Sequence, residues 1–292
     1  MGAQRLAGGQ DFVTEKTHTM KKILVPTDFS ACAENAFSVA LEIARKAGAE
    51  LIVQHLYDDK SGSMHVLPTK PIQTDPALGH AKAKLDELVA SAERAGVHTR
   101  PLLVMNKGTD KIENYIEPLG IDLVVMGSHG ATGIRELVIG SQTQRVVRHA
   151  TAPVLVIKNK PDVVTFDKIL FASTFHENPA KALGSVSKLR ELWNSTIHML
   201  YIGLENDKQT KAEVDEKMNT LQAQFPNATF TRNFITTNDP EWGIKHAAKD
   251  IAPDAIALTT QLKTGAFIFS HSLAESLVNH EQLPVLVINE KS

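Results

Sequence analysis

Residues 122–130 read Asp122-Leu123-Val124-Val125-Met126-Gly127-Ser128-His129-Gly130, a continuous apolar run that stops on a glycine. A run without polar alternation is what a strand covered on both faces of a parallel sheet requires. Four more such runs surround it: Ile23-Leu24-Val25, Leu51-Ile52-Val53, Leu102-Leu103-Val104 and Val154-Leu155-Val156-Ile157. Between them lie stretches with apolar residues at helical spacing. The first carries Ala36, Ala40, Ile43, Ala44 and Ala47, with Ser30 as expected N-cap and Gly48 as expected C-cap. The second carries Leu78, Ala81, Leu85, Leu88 and Ala92; the third carries Ile112, Tyr115, Ile116 and Leu119 and is stopped by Gly120; the fourth runs from Ser141 to His149. Alternation of this kind predicts an α/β domain with an open, doubly wound sheet.

Open α/β sheets bind ligands outside the carboxyl ends of their strands, where the strand order reverses. The first strand ends at Pro26-Thr27-Asp28 and the fourth at Met126-Gly127. A 14-residue segment, Gly127 to Gly140, then precedes the last helix. Connections in such units usually take ~2–6 residues, so its length points to a role beyond connection. Glycines at both ends are expected to let the backbone approach a ligand and adopt positive φ. Ser141 is expected to cap the last helix, whose free N–H groups suit a phosphate. Neither GxxxxGK[ST] nor GxGxxG occurs. On spacing alone, nucleotide binding and a plain glycine-rich surface loop with a capping serine both stand.

The motifs together resemble the universal stress protein family. Lys22-Ile23-Leu24-Val25-Pro26-Thr27-Asp28-Phe29-Ser30 matches its opening, and Asp122 to Gly130 matches the stretch before the loop. The family's ATP-binding signature G-x2-G-x9-G-[ST] is met by Gly127, Gly130, Gly140 and Ser141, and Pro153-Val154-Leu155-Val156-Ile157 matches the closing strand. The resemblance covers residues 21–159. It implies a five-stranded parallel sheet of order 3-2-1-4-5 and an adenine nucleotide, ATP or AMP, as bound ligand, with Mg as a companion ion. It also implies site roles. Asp28, after Pro26 and Thr27, would contact adenine, Leu56 would line the base pocket, and Met126 and Gly127 would wall the adenosine. Gly130 would admit the phosphates, His129 would lie beside them, and Gly140, Ser141 and Gln142 would hold phosphate and ribose. Read singly, Asp28 could instead help begin the first helix, His129 and Arg135 could be solvated loop residues, and Cys32 could be a buried structural thiol.

The second half repeats the pattern. Lys168-Ile169-Leu170-Phe171 aligns with Lys22 to Val25, and Thr196 to Tyr201 matches the second strand. Ala252 to Leu258 matches Gly120 to Met126, and Pro284 to Ile288 matches Pro153 to Ile157. The chain is therefore expected to hold two tandem doubly wound domains, residues 20–159 and 168–290, joined by a linker at 160–167 and packed as a pseudo-dimer. A flexible leader is expected at 1–19. Thr174 stands for Asp28, Thr259 for Gly127, Leu262 for Gly130 and His271 for Gly140, with only Ser272 keeping its type. The second copy is not expected to bind ATP in the first copy's manner. Five histidines in this half, His176, His198, His246, His271 and His280, form no metal-ligand spacing.

Composition sets outer bounds. At 292 residues the chain has room for two domains, and 42% hydrophobic with 22% charged residues is globular usage. Thirty-one Lys and Arg against 33 Asp and Glu leave a net charge of −2, which makes no electrostatic case for nucleic acid or a membrane surface. One cysteine and no long apolar run point to a cytoplasmic protein. No nucleophile–histidine pair or metal-binding acid cluster accompanies the loop, so a nucleotide-dependent stress-response regulator, hydrolysing ATP slowly at most, fits better than a fast enzyme. Further pairing into a homodimer is compatible with the sequence. The alternative is a non-nucleotide scaffold whose second domain binds a protein partner or an apolar ligand.

Overall fold

Lys22 begins the first strand and Lys168 the matching strand of the second half, and each does the same two things. The Lys22 ammonium donates to the carbonyl of Leu119 (3.0 Å) and the Lys168 ammonium to that of Ile251 (3.2 Å), each at the carboxyl end of a helix where a cation is favoured. Their backbone N–H groups reach a carboxylate that opens another strand. Asp122 accepts from the amides of Lys21 (2.9 Å) and Lys22 (3.2 Å), and Asp254 accepts from that of Lys168 (2.9 Å). The recurring Lys and Asp are thus what fixes the lower ends of neighbouring strands.

The computed structural model describes residues 20–58, 76–106, 109–129, 139–175, 179–205, 209–261 and 270–290. The first half runs β1 (Lys22–Pro26), α1 (Ala31–Ala47), β2 (Glu50–Asp58), α2 (Pro76–Arg94), β3 (Thr99–Asn106), a 3-10 turn (Ile112–Tyr115) leading into α3 (Ile116–Leu119), β4 (Leu123–Gly127), α4 (Ser141–His149) and β5 (Val154–Ile157). The second half repeats it with β6 (Lys168–Ser173), α5 (Ala180–Trp193), β7 (Thr196–Gly203), α6 (Lys211–Gln222), β8 (Thr229–Thr236), α7 (Pro240–Ile251), β9 (Ala255–Gln261), α8 (His271–His280) and β10 (Val285–Glu290).

Within each half the strands are parallel, and the halves join into one ten-stranded sheet of order β3-β2-β1-β4-β5-β10-β9-β6-β7-β8. Each half therefore has the 3-2-1-4-5 order expected of it. The join is the antiparallel pair β5–β10, with Leu155 opposite Leu286 and Val154 opposite Val287. Leu155 and Leu286 are the same position of the repeat, so an approximate two-fold axis passes between them.

Two buried layers cover the sheet. One gathers Leu24, Val124, Met126, Val154 and Val156 with Leu170, Leu258, Leu277 and Val285. The other gathers Ile23, Val25, Val125 and Leu155 with Ile169, Phe171, Ala257 and Leu286. Both layers run across the join, so the halves share their cores. Side chains add to it: Lys188 of α5 pairs with Asp122 of the first half (2.9 Å), and Asn289 donates to the carbonyls of Val147 (2.9 Å) and Ala150 (3.0 Å). No helix among the described residues is long and apolar enough to cross a membrane.

Candidate functional site

The β1–α1 corner is built on a hydroxyl. Phe29 has φ 62°, a region that bulky residues rarely enter, and Thr27 Oγ1 accepts its N–H at 3.0 Å. The second half repeats the device, with Phe175 at φ 52° and its N–H on Ser173 Oγ (3.1 Å). Thr27 is also held through its main chain: its N–H donates to the carbonyl of Gln54 (2.8 Å) and its carbonyl accepts from His55 Nδ1 (2.8 Å). The His55 ring lies against Phe29 at 4.5 Å between centroids. After this corner Asp28 is exposed; its carboxylate accepts the N–H of Ser30 (3.0 Å), and Ser30 Oγ caps α1 by accepting from Ala33 (3.2 Å).

At the end of β4, Gly127 faces the first turn of α1. A Cβ there would lie 2.9 Å from the carbonyl carbon of Cys32 and 3.0 Å from its oxygen, so only glycine lets this helix cross the strand end. Neither Gly127 nor Gly140 has positive φ; Gly140 sits at φ −63°. The expectation that these two glycines serve positive φ is therefore corrected: Gly127 is required by helix–strand packing. In the second half Thr259 takes this place and α5 begins only at Ala180, three residues later in the repeat than α1. Helix start and side chain change together.

Ser128 is 1% exposed and holds the beginning and end of the loop. Its N–H donates to Ile157 (3.1 Å), its carbonyl accepts from Gly140 (2.9 Å), and its hydroxyl lies 2.5 Å from His129 Nδ1. His129 Nε2 is buried without a hydrogen-bond partner. Thr143 Oγ1 donates to the carbonyl of Gly127 (2.8 Å), tying α4 to the strand end. Cys32 donates its thiol to the carbonyl of Ile157 (3.4 Å), a structural position.

Helix α4 starts differently from the sequence reading. Gly140, with extended backbone, is its N-cap and offers no side-chain cap bond, no other side chain among the described residues is seen to cap the first turn, and Ser141 is the first helical residue rather than the cap. Ser141 and Gln142 are exposed at that end. The equivalent helix α8 is closed: it begins one residue earlier in the repeat, and Ser270 Oγ accepts from the amide of Leu273 (3.3 Å). Ser272, which the alignment places opposite Ser141, lies inside this helix and does not cap it.

The described site residues thus converge on one end of the sheet: Pro26, Thr27 and Asp28 after β1, Leu56 half-buried near the end of β2, Met126, Gly127 and His129 on β4 and beyond, and Gly140, Ser141 and Gln142 at α4. Gly130 and Arg135 lie outside the described residues, as do the leader, Leu262 and His176. One residue here escaped the sequence reading. Gln54, in the middle of β2, is 1% exposed, and neither its Nε2 nor its Oε1 has a partner among the described residues. The signal was a lone amide directly following the apolar run Leu51-Ile52-Val53.

The arrangement defines a tandem α/β protein with its site residues gathered at the β1/β4 switch point beside the N-terminal end of α4. Comparison with known proteins gives the family. Residues 19–158 match the model of the universal stress protein family, and the first half of the chain belongs to that family. Universal stress protein MJ0577 of Methanocaldococcus jannaschii is 28% identical over 155 residues, which cover 48% of this chain and 96% of that protein. A putative universal stress protein of Staphylococcus haemolyticus is 28% identical over 145 residues, 49% of this chain and 87% of that one. The crystal structure of a universal stress protein from Archaeoglobus fulgidus covers 93% of this chain and 97% of its own, with TM-score 0.72 at 18% identity, so the two-half architecture is shared as a fold.

Proposed function

We propose that the half spanning residues 20–159 holds one adenine nucleotide, ATP or AMP, and that residues 168–290 serve as its structural or regulatory counterpart in a stress-response regulator. The observation that carries this reading is the contrast between two helix ends. Among the described residues the first turn of α4 has no side-chain cap, whereas Ser270 caps that of α8. Helix N-terminal amides that no capping side chain satisfies favour an anion, and a phosphate chain is the anion that the adjoining loop motif accompanies.

The other positions agree with it. Asp28 is exposed beyond the β1 corner, and Leu56 and Met126 bring apolar surface to the same sheet face for a base or ribose. Among the described residues no group of three metal-ligating side chains gathers, so a Mg ion in this reading rides on the nucleotide's own phosphates. Titration calorimetry of the full chain with ATP and with AMP tests the proposal. One nucleotide per chain, lost in Gly130→Leu, is expected; no binding at millimolar nucleotide, or two sites per chain, overturns it.

A further inference from the structure

We propose that the Gln54 side-chain amide reads the nucleotide's base, accepting from the 6-amino group of adenine and donating to the adjacent ring nitrogen. The inference rests on the nucleotide reading above and names the base-selecting residue of that site.

The placement follows from the sheet register. Gln54 pairs with Pro26 on one side and Leu102 on the other, and the β1–β4 register carries the same row across to Met126. Its neighbours on the same face of β2, Ile52 and Leu56, pack into the layer that contains Leu24 and Met126. Gln54 therefore shares a row and a face with Pro26 and Met126. One step further along the strands lie half-buried Leu56 and exposed Asp28. The buried amide thus lies one row below the Leu56 and Asp28 positions.

The amide is not there for the fold. Leu200 occupies the same place on β7, opposite Ala172, is fully buried, and gives the same strand in the same sheet. A buried amide with both polar groups unpaired is unfavourable beside such a leucine, and buried polar groups normally find partners. At this position of the repeat the unpaired amide stands in the half that keeps the glycine motif, and a leucine in the other. A carboxamide presents a donor and an acceptor side by side, the complement of the amino group and ring nitrogen of adenine.

Binding of ATP and of purine riboside 5′-triphosphate, which lacks the 6-amino group, is to be measured on the full chain and on Gln54→Leu and Gln54→Met. The wild type is expected to prefer ATP by about tenfold, the scale of one such base contact. Both variants are expected to lose that preference, with ATP affinity falling about tenfold more than that for purine riboside triphosphate, which forfeits only the ring-nitrogen contact. Their unliganded thermal midpoints should be unchanged or higher, as the leucine in β7 shows the fold accepts. Equal affinity of the wild type for the two ligands, or a preference that survives in both variants, overturns the role of Gln54 and leaves the nucleotide site standing. Absence of any binding by the wild type overturns both.

Discussion

Gln144 and Glu275 are the same position of the repeat, and they meet: Gln144 Nε2 donates to Glu275 Oε2 at 2.8 Å across the approximate two-fold axis. Arg148 of α4 adds a two-pronged ion pair to the same carboxylate. Burial acts to raise the Glu275 pKa, but the hydrogen bonds from Arg148 and Gln144 outweigh it and hold the carboxyl below its usual range. Glu275→Ala is expected to lower stability by about 1 kcal/mol, because Arg148 remains largely solvated and loses little. Urea unfolding reads this, and a midpoint equal to the wild type's counts against the assignment.

Gly127→Ala brings a methyl group against backbone rather than against a flexible side chain. Overpacking of this kind costs about 1–3 kcal/mol. Gly184→Ala, on α5 with open space around its Cβ, is the control and should leave the denaturation midpoint unchanged or slightly raised.

Gly140→Ser would give α4 the hydroxyl cap that Ser270 gives α8. Serine and glycine differ by only a few tenths of a kcal/mol at this position, so stability should barely move. Nucleotide affinity should fall several-fold, because the new hydroxyl competes for the first-turn amides. Calorimetry beside thermal unfolding separates the two effects; a variant that binds as tightly as the wild type would contradict an anion at this helix end.

Thr27→Val removes the acceptor that holds Phe29 in the left-handed region. A loss of about 1–2 kcal/mol is expected, the cost of an orphaned amide in a strained turn. Ser173→Ala should cost a similar amount in the second half, since Ser173 and Phe175 repeat the geometry. Guanidinium titration of each variant tests both.

Acid should destabilise the protein through carboxylates that bridge its elements. Burial acts to raise the pKa of Glu241, yet hydrogen bonds from Lys245, Ser276 and His280 bring it from 4.5 down to about 2. Asp122 is lowered as well, burial again being outweighed by hydrogen bonds from Lys188 and the amides of Lys21 and Lys22. The folded pKa lies below the unfolded one in each case. The stabilisation is therefore complete above the ordinary carboxylate range and is lost as pH falls through it towards the folded value. The thermal midpoint should decline between about pH 4.5 and 2, less steeply in Glu241→Gln. A variant as acid-sensitive as the wild type would argue against Glu241 as a contributor.

The strands and their order were legible because buried parallel strands leave uninterrupted apolar runs, and β1, β4 and β5 announce themselves in this way. Helix stops at Gly48 and Gly120 were equally plain. The reason for Gly127 was not, since it lies in the Cys32 backbone, which is distant in sequence and brought close only by the fold. The start of α4 escaped for a related cause: Ser141 looks like a cap by type, but the bond from the Gly140 amide to the Ser128 carbonyl sets where the helix begins. Gln54 was passed over because a single amide after an apolar run is unremarkable until its lack of partners is seen.

The antiparallel seam between β5 and β10 has a thermodynamic consequence. Two separate chains meeting along such strands would do so by mass action, and dilution would part them. Here both strands belong to one molecule, so their encounter is set by an effective concentration that no dilution changes. It also spares the halves from being identical. A symmetric pair of separate chains must alter both members with every mutation. In this chain the halves differ, Gln144 meeting Glu275 across the join and Gln54 of β2 having Leu200 as its counterpart on β7.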